Sequence, residues 1–307
     1  MTLLRAAITY LSFPVTFVAS LVAGWYAFRA GGSAGMILFL VTLASLVLVA
    51  IFERVHPEHV EWNRSRGDVG TDLVHALVSM VSLPPILEAA LAAVLLGVAA
   101  DLATLSPFTL WPHTWPIVGQ LLLAMIVSQF FEYWVHRLCH TVPLLWRLHA
   151  THHSPHRLYW LNAARFHPLD TTLSVSVSFA SFMVLGVGEE VFLLASIWVA
   201  VHGMFQHCNV RLRLGPLNWI FSMAELHRWH HSPVLEEANN NYGNNLLFWD
   251  IVFGTVYYPK DREARVGVGL SDMPDFPQDY VGQLLSPWRW KKLLGGPDTP
   301  SQEEGSG

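Results

Sequence analysis

The chain has 307 residues, of which 52% are hydrophobic and only 13% charged, and its mean hydropathy is +0.37. A soluble domain carries about twice that charged share, so the composition describes an integral membrane protein. The net charge of -5 is small and excludes the basic balance that a nucleic-acid partner would need.

Taken in order, Leu3 to Phe28 is apolar and exceeds the roughly 20 residues a spanning helix needs. Arg5 precedes it and no small-residue cleavage signature follows, which predicts a retained helix rather than a signal peptide. Gly31-Gly32-Ser33 makes a turn, and Ala34 to Phe52 is a second span. Glu53 to Asp72 is a polar loop with Arg54, Arg64 and Arg66, in which His56 and His59 read as solvated residues. Asp72 to Ala100 is apolar again. Pro84-Pro85 is expected to split it into two short pieces, because proline removes a donor and clashes with the preceding turn, and Glu88 then falls near a membrane boundary. Asp101 to Pro116 is a loop whose Trp111 and Trp115 suit an interfacial belt.

Ile117 to Val135 is the next span and runs straight into His136. Arg137 to Phe166 is polar. Leu169 to Leu185 and Glu190 to Val201 form a helical hairpin turned by Gly186-Val-Gly188-Glu189, its second arm short. From Asn209 onward the chain is polar enough to lie outside the bilayer, with Leu214 to Met223 on its interface. Trp288-Arg-Trp-Lys-Lys292 reads as a surface anchor, and Pro297 to Gly307 as a disordered tail. The fold class is therefore all-α, a polytopic membrane helical bundle. Three parts are expected: an N-terminal hairpin (1–52), a catalytic unit with further spans (53–260) and a C-terminal segment with its tail (261–307).

Histidines carry the chemistry. They fall in four groups, HRLCH (His136, His140), HATHH (His149, His152, His153), HGMFQH (His202, His207) and HRWHH (His227, His230, His231). On a helix, residues three and four apart share a face. Ten imidazoles exceed the roughly four that close one zinc site and match the needs of two ions. Imidazole suits iron, copper, nickel and zinc better than magnesium or calcium. Glu132, Asp170 and Glu225 are the nearby carboxylates that would orient imidazoles through hydrogen bonds. Cys139 and Cys208 adjoin histidine groups and read as buried thiols rather than a disulfide.

With the N-terminus in the cytoplasm, six crossings put every histidine group on the cytoplasmic side, as a histidine-rich cap. Of the 18 Lys and Arg residues only Arg29 then falls outside, as the positive-inside rule requires. A bacterial inner membrane is the expected location.

These motifs, set among spans in this order, resemble the fatty acid hydroxylase and sterol desaturase superfamily of membrane di-iron enzymes. The resemblance covers about Glu53 to Lys260. It extends to Asn162-Ala-Ala-Arg165-Phe-His167-Pro168-Leu169 and to Asn241-Tyr242-Gly243. It implies two iron ions, with zinc as a substitute in purified protein, together with dioxygen, a lipid substrate and hydroxylation of an unactivated C–H bond. The ligands implied are His136, His140, His149, His152, His153, His227, His230 and His231. His202 and His207 match more loosely; five residues apart, they diverge by about 140° on a regular helix, so a bend or a single ligand is expected there. Asn162, Arg165, Asn241 and Tyr242 become candidates for lipid head-group contacts, and His167 for a place beside the ligands or the substrate. No haem motif is fused to the chain, so a separate ferredoxin- or cytochrome-type donor is expected. The neighbourhood is more like the branch of bacterial sterol-desaturase-like proteins, ornithine-lipid hydroxylases and alkylglycerol monooxygenases than like plant or yeast sterol enzymes. The alternatives are a desaturase on the same site and, in another class, a zinc transporter; transporter ligands belong near the bilayer midplane, whereas these cluster past helix ends.

Overall fold

The computed structural model describes residues 2–105, 110–264 and 267–294; the expected disordered tail lies outside the described residues. Among them the chain is helical, its only extended pairings being isolated bridges of Pro57 with Val210 and Phe221 with Leu246.

An N-terminal hairpin is formed by α1 (Leu3–Arg29) and α2 (Ala34–Val55). The third span is continuous: α3 (Val69–His75), a π-helical stretch (Ala76–Ser82) and α4 (Leu83–Leu105) follow one another without a break. The split expected at Pro84-Pro85 does not occur. Both prolines directly follow the π turns, whose wider backbone leaves room for the rings inside the continuous helix. Next come α5 (Ile117–Thr141), α6 (Pro143–His153), α7 (Pro168–Leu185) and α8 (Glu189–His207). Five of these units are long and apolar enough to cross a membrane: α1, α2, α3 with α4, α5 and α7. The expected sixth crossing, α8, is less apolar than these and runs back through the bundle's interior to the end where α7 begins. Glu189, Glu190, His202, Gln206 and His207 interrupt its apolar run, and most of its length is buried against α1, α2 and α5.

The core lies along α8. Phe13 and Phe17 of α1 meet Trp198, Phe205 and Phe221 edge to face, the arrangement aromatic quadrupoles prefer. Gly24 lets α1 approach, since a Cβ there would stand 2.3 Å from the Ile197 side chain. Ser20 and Ser45 join α1 to α2 through a 3.1 Å hydrogen bond. Val15, Val18 and Val22 of α1 and Phe39, Leu40 and Leu43 of α2 face outward, forming the apolar belt a bilayer covers.

The starts of α1, α3 and α7 gather at one end with the finishes of α2, α5 and α8. Contacts there include His56 with Thr9, Arg165 with Asp72 and Asp170 with His149. A cap of short elements covers this end: α9 (Ala224–His230), α10 (Leu235–Ala238), α11 (Phe248–Phe253), α12 (Tyr280–Leu285) and α13 (Trp290–Leu294). The buried pairs Arg157–Asp68 and Arg165–Asp72 fasten the α6–α7 connection to α3. Two tryptophan expectations divide. Trp115 faces outward while Trp111 is buried on Gln120, and Trp288 is exposed while Trp290 packs against Ala150, Met273 and Phe276.

Candidate metal centre

The histidines are positioned by four helix ends. His136 and His140 lie one turn apart at the finish of α5. Val142 and Pro143 turn the chain at once into α6, whose last turn carries His149, His152 and His153. His207 closes α8, and α9 carries His227 and His230 with His231 just past its end.

Nine imidazoles converge in two groups. His136, His140, His149, His153 and His230 form one; His152, His207, His227 and His231 form the other, and within each group the candidate ligand atoms lie within 4.8 Å of one another. The groups touch where His153 stacks on His231, ring centroids 4.3 Å apart. Each HxxHH motif is divided between them. His149 and His153 serve the first group while His152 serves the second; His227 and His231 serve the second while His230 serves the first. Helix pitch explains the division: residues i and i+4 stand about 40° apart, and i+3 lies about 60° to the other side of i.

Ring orientation fits metal binding. In the first group the Nδ1 atoms meet acceptors outside the cluster: the Tyr242 carbonyl for His136 (2.7 Å), Asn239 Oδ1 for His140 (3.2 Å), Asp170 Oδ2 for His149 (2.8 Å) and the Asn240 carbonyl for His230 (2.8 Å). A carbonyl or carboxylate can only accept, so Nδ1 carries the proton and Nε2 keeps its lone pair. The Nε2 atoms of His136, His140, His149, His153 and His230 are all buried without a hydrogen-bond partner among the described residues. Five inward, unpartnered ring nitrogens, four of them fixed as acceptors by their Nδ1 partners, are costly in a dry site unless a cation receives them. In the second group, His152 donates from Nδ1 to the Arg165 carbonyl (3.3 Å) and His207 to Asn162 Oδ1 (3.2 Å). The Nε2 atoms of His207, His227 and His231 face one another at 2.9 and 3.0 Å. Burial, and then the neighbouring imidazoles, hold His152, His153, His227 and His231 well below the usual histidine range, and His230 at about 3. Neutral imidazole is the form that ligates.

His202 does not join either group. Because α8 stays regular to His207, five residues turn His202 away from the centre and into the α1 interface, edge-on to Phe13 and beside Phe221. Both its ring nitrogens are buried without a partner among the described residues.

The other candidates separate by what they touch. Asp170 orients His149, and Asn162 orients His207. Glu132 meets Ser178 and Asn244 rather than a histidine. Glu225 ties down the Leu214–Asn218 turn and Tyr258, away from the imidazoles. His167 caps α7, accepting from the Leu169 N–H, and its Nε2 meets the Leu284 carbonyl. Arg165 is fully buried on Asp72 and Gln278, so it holds the cap together instead of facing a lipid head. Asn241 is likewise turned inward, its side chain bonded to Leu226 and Tyr257, at a φ of 54° that Asn tolerates better than most residues. Gly243 is required next to it, since a Cβ would stand 2.4 Å from the Leu246 carbonyl oxygen. Cys139 lies 3.8 Å from Asp170 and outside the two histidine groups. Sequence reasoning missed Asn239, Asn240 and Phe166, the last stacked on His152 at 4.0 Å. The asparagine run ahead of Tyr242 was the available signal for the first two.

Nitrogen donors in this number select a transition ion over magnesium or calcium. The fatty acid hydroxylase family profile matches residues 121–255, which contain all ten histidines of the four motifs. The ornithine lipid hydroxylase OlsE of Rhizobium tropici is 35% identical over 292 residues, covering 94% of this chain and 86% of that protein. The chain belongs to the fatty acid hydroxylase family. Alkylglycerol monooxygenase of Xenopus tropicalis is 29% identical over 170 residues, covering 53% of this chain and 33% of that protein. Sphinganine C4-monooxygenase 2 of Arabidopsis thaliana is 27% identical over 204 residues, covering 65% of this chain and 77% of that protein. No solved structure matches. As a member of the fatty acid hydroxylase family the chain is a membrane-bound oxidoreductase that hydroxylates lipid, and a zinc transporter finds no support among these relatives.

Proposed function

We propose that the nine converging histidines hold two iron ions and that the protein hydroxylates an ornithine-containing bilayer lipid. The observation that carries the metal reading is the set of five inward, unpartnered Nε2 atoms in the first group, touching a second group whose own Nε2 atoms converge on one another. The extent of the match to the ornithine lipid hydroxylase supports the substrate. Electrons come from a separate ferredoxin- or cytochrome-type carrier. The charge bias of the loops favours a cytoplasmic centre in a bacterial inner membrane.

Bound as a pair, iron supplies the activation of dioxygen that an unactivated C–H bond requires. The protein's part is to position and to keep dry. Asp170, the Tyr242 and Asn240 carbonyls and Asn162 fix the imidazole rings so that their lone pairs point inward. Phe166 on one side and Trp146 on the other screen the cluster from water. The apolar belt lets a lipid reach the centre sideways from the bilayer. Mass spectrometry of lipids from aerated cells with and without the chain tests this: ornithine-containing lipids are expected to gain one oxygen. Loss of two hydrogens would mean desaturation, and an unchanged profile would reject the substrate.

A further inference from the structure

Among the described residues, one buried carboxylate has neither a charged nor a backbone partner. Asp68, Asp72, Glu58 and Glu237 each pair with an arginine, and Asp170 with His149. Glu53 and Asp250 each accept two backbone N–H groups. Glu132 has neither kind of partner. It sits within the spanning helix α5, one turn before His136, and is held by two neutral side chains, Ser178 of α7 and Asn244, the latter at 3.0 Å. No cationic nitrogen pairs with it among the described residues. A carboxylate inside a membrane span is costly and is a mark of function by default. Both its partners are only half-buried and come from different elements. The carboxylate therefore lies beneath two half-buried side chains where α5, α7 and the Asn244 loop meet. One turn earlier, Gln129 fastens that loop by accepting from the Asn245 N–H at 3.0 Å, so Glu132 is not needed for the fastening.

We infer that Glu132, with Ser178 and Asn244, is the site for the ammonium group of the substrate's head, one helical turn (about 5.4 Å along the axis) from the five-histidine group. A primary ammonium brings the missing charge and three donors to an acceptor-only carboxylate. This rests on the reading of an amine-bearing lipid as substrate. It adds which residue discriminates such a lipid from one whose head carries no free amine. Glu132 is a specificity residue in this account, and the histidines remain complete without it.

The test uses the full chain, metal-loaded, in nanodiscs. Binding of an ornithine-containing lipid and of the same lipid acetylated at its free amine is compared by native mass spectrometry. The wild type is expected to prefer the free amine roughly thirtyfold or more, the effect of an unpaired buried charge. Glu132→Gln is expected to abolish the preference while keeping the metal content of the wild type, and Glu132→Asp to restore part of it. Equal binding of both lipids by the wild type overturns the inference with no variant needed. Metal loss in Glu132→Gln also overturns it, because the carboxylate would then serve the histidine centre. A lipid bound through Glu132 that gains no oxygen in aerated cells leaves the site standing and rejects the substrate reading instead.

Discussion

His202 and His207 stand in one motif, yet only His207 faces the other imidazoles. The spacing made this readable, because five residues on a regular helix cannot share a face. Which of the two turns inward was not readable, since it depends on how α8 packs against Phe13 and Phe221. His207→Ala is expected to lose metal. His202→Phe is expected to keep it and to raise stability by about 1 kcal/mol, because an apolar ring replaces one whose buried nitrogens lack partners. Metal analysis and thermal unfolding decide; metal loss in His202→Phe would contradict the placement. The metal-free centre also sets a pH response. His152, His153, His227, His230 and His231 lie below their ordinary value of 6.5. Between 6.5 and those lower values the unfolded chain takes up protons that the folded chain refuses. Chelated protein is therefore expected to be most stable above about pH 6.5 and to lose up to about 1.4 kcal/mol per pH unit per group below it. A melting temperature that stays flat from about pH 8 to about pH 5 would contradict this.

At the scale of elements, the helices were legible from apolar length, and two departures have clear causes. The tolerance of Pro84-Pro85 depends on the π turns ahead of them, which no local pattern announces. The role of the C-terminal segment was hidden for a different reason: its contacts join residues more than a hundred positions apart. Gln283 of α12 meets His75 Nε2 at 2.8 Å and donates to Ser154 Oγ at 3.1 Å. His75 Nδ1 in turn contacts the carbonyl of Phe166, the ring stacked on His152. Gln283→Ala is expected to cost about 1–3 kcal/mol, the penalty for stranding buried polar groups, and to lower metal affinity through His152. Asp250 has a parallel duty. It accepts the Tyr242 and Gly243 N–H groups at 2.8 and 2.7 Å and so fixes the carbonyl that orients His136. Its burial pushes the carboxyl up to about 6. Asp250→Ala is expected to reduce bound metal while the helical content by circular dichroism stays that of the wild type. Unchanged metal would show that the Tyr242 turn holds itself.

For the whole molecule, composition and loop charge indicated a bundle with one polar, histidine-rich end, and the structure gathers the helix termini that such a bundle requires. Sidedness is open to direct test, because the only cysteines, Cys139 and Cys208, are buried. In intact cells Ser33→Cys is expected to react with an impermeant maleimide and Glu263→Cys to be protected until the membrane is opened. The reverse pattern would invert the topology. Helix pitch parts the middle histidine of each HxxHH motif from the other two, but which motifs share a group was not readable from spacing, because that depends on the meeting of α5, α6, α8 and α9. The central claim is that this division makes two metal sites. Iron per chain, measured on wild-type protein purified without oxygen and reconstituted with ferrous ion, is expected to be two; a stoichiometry that saturates at one would contradict it.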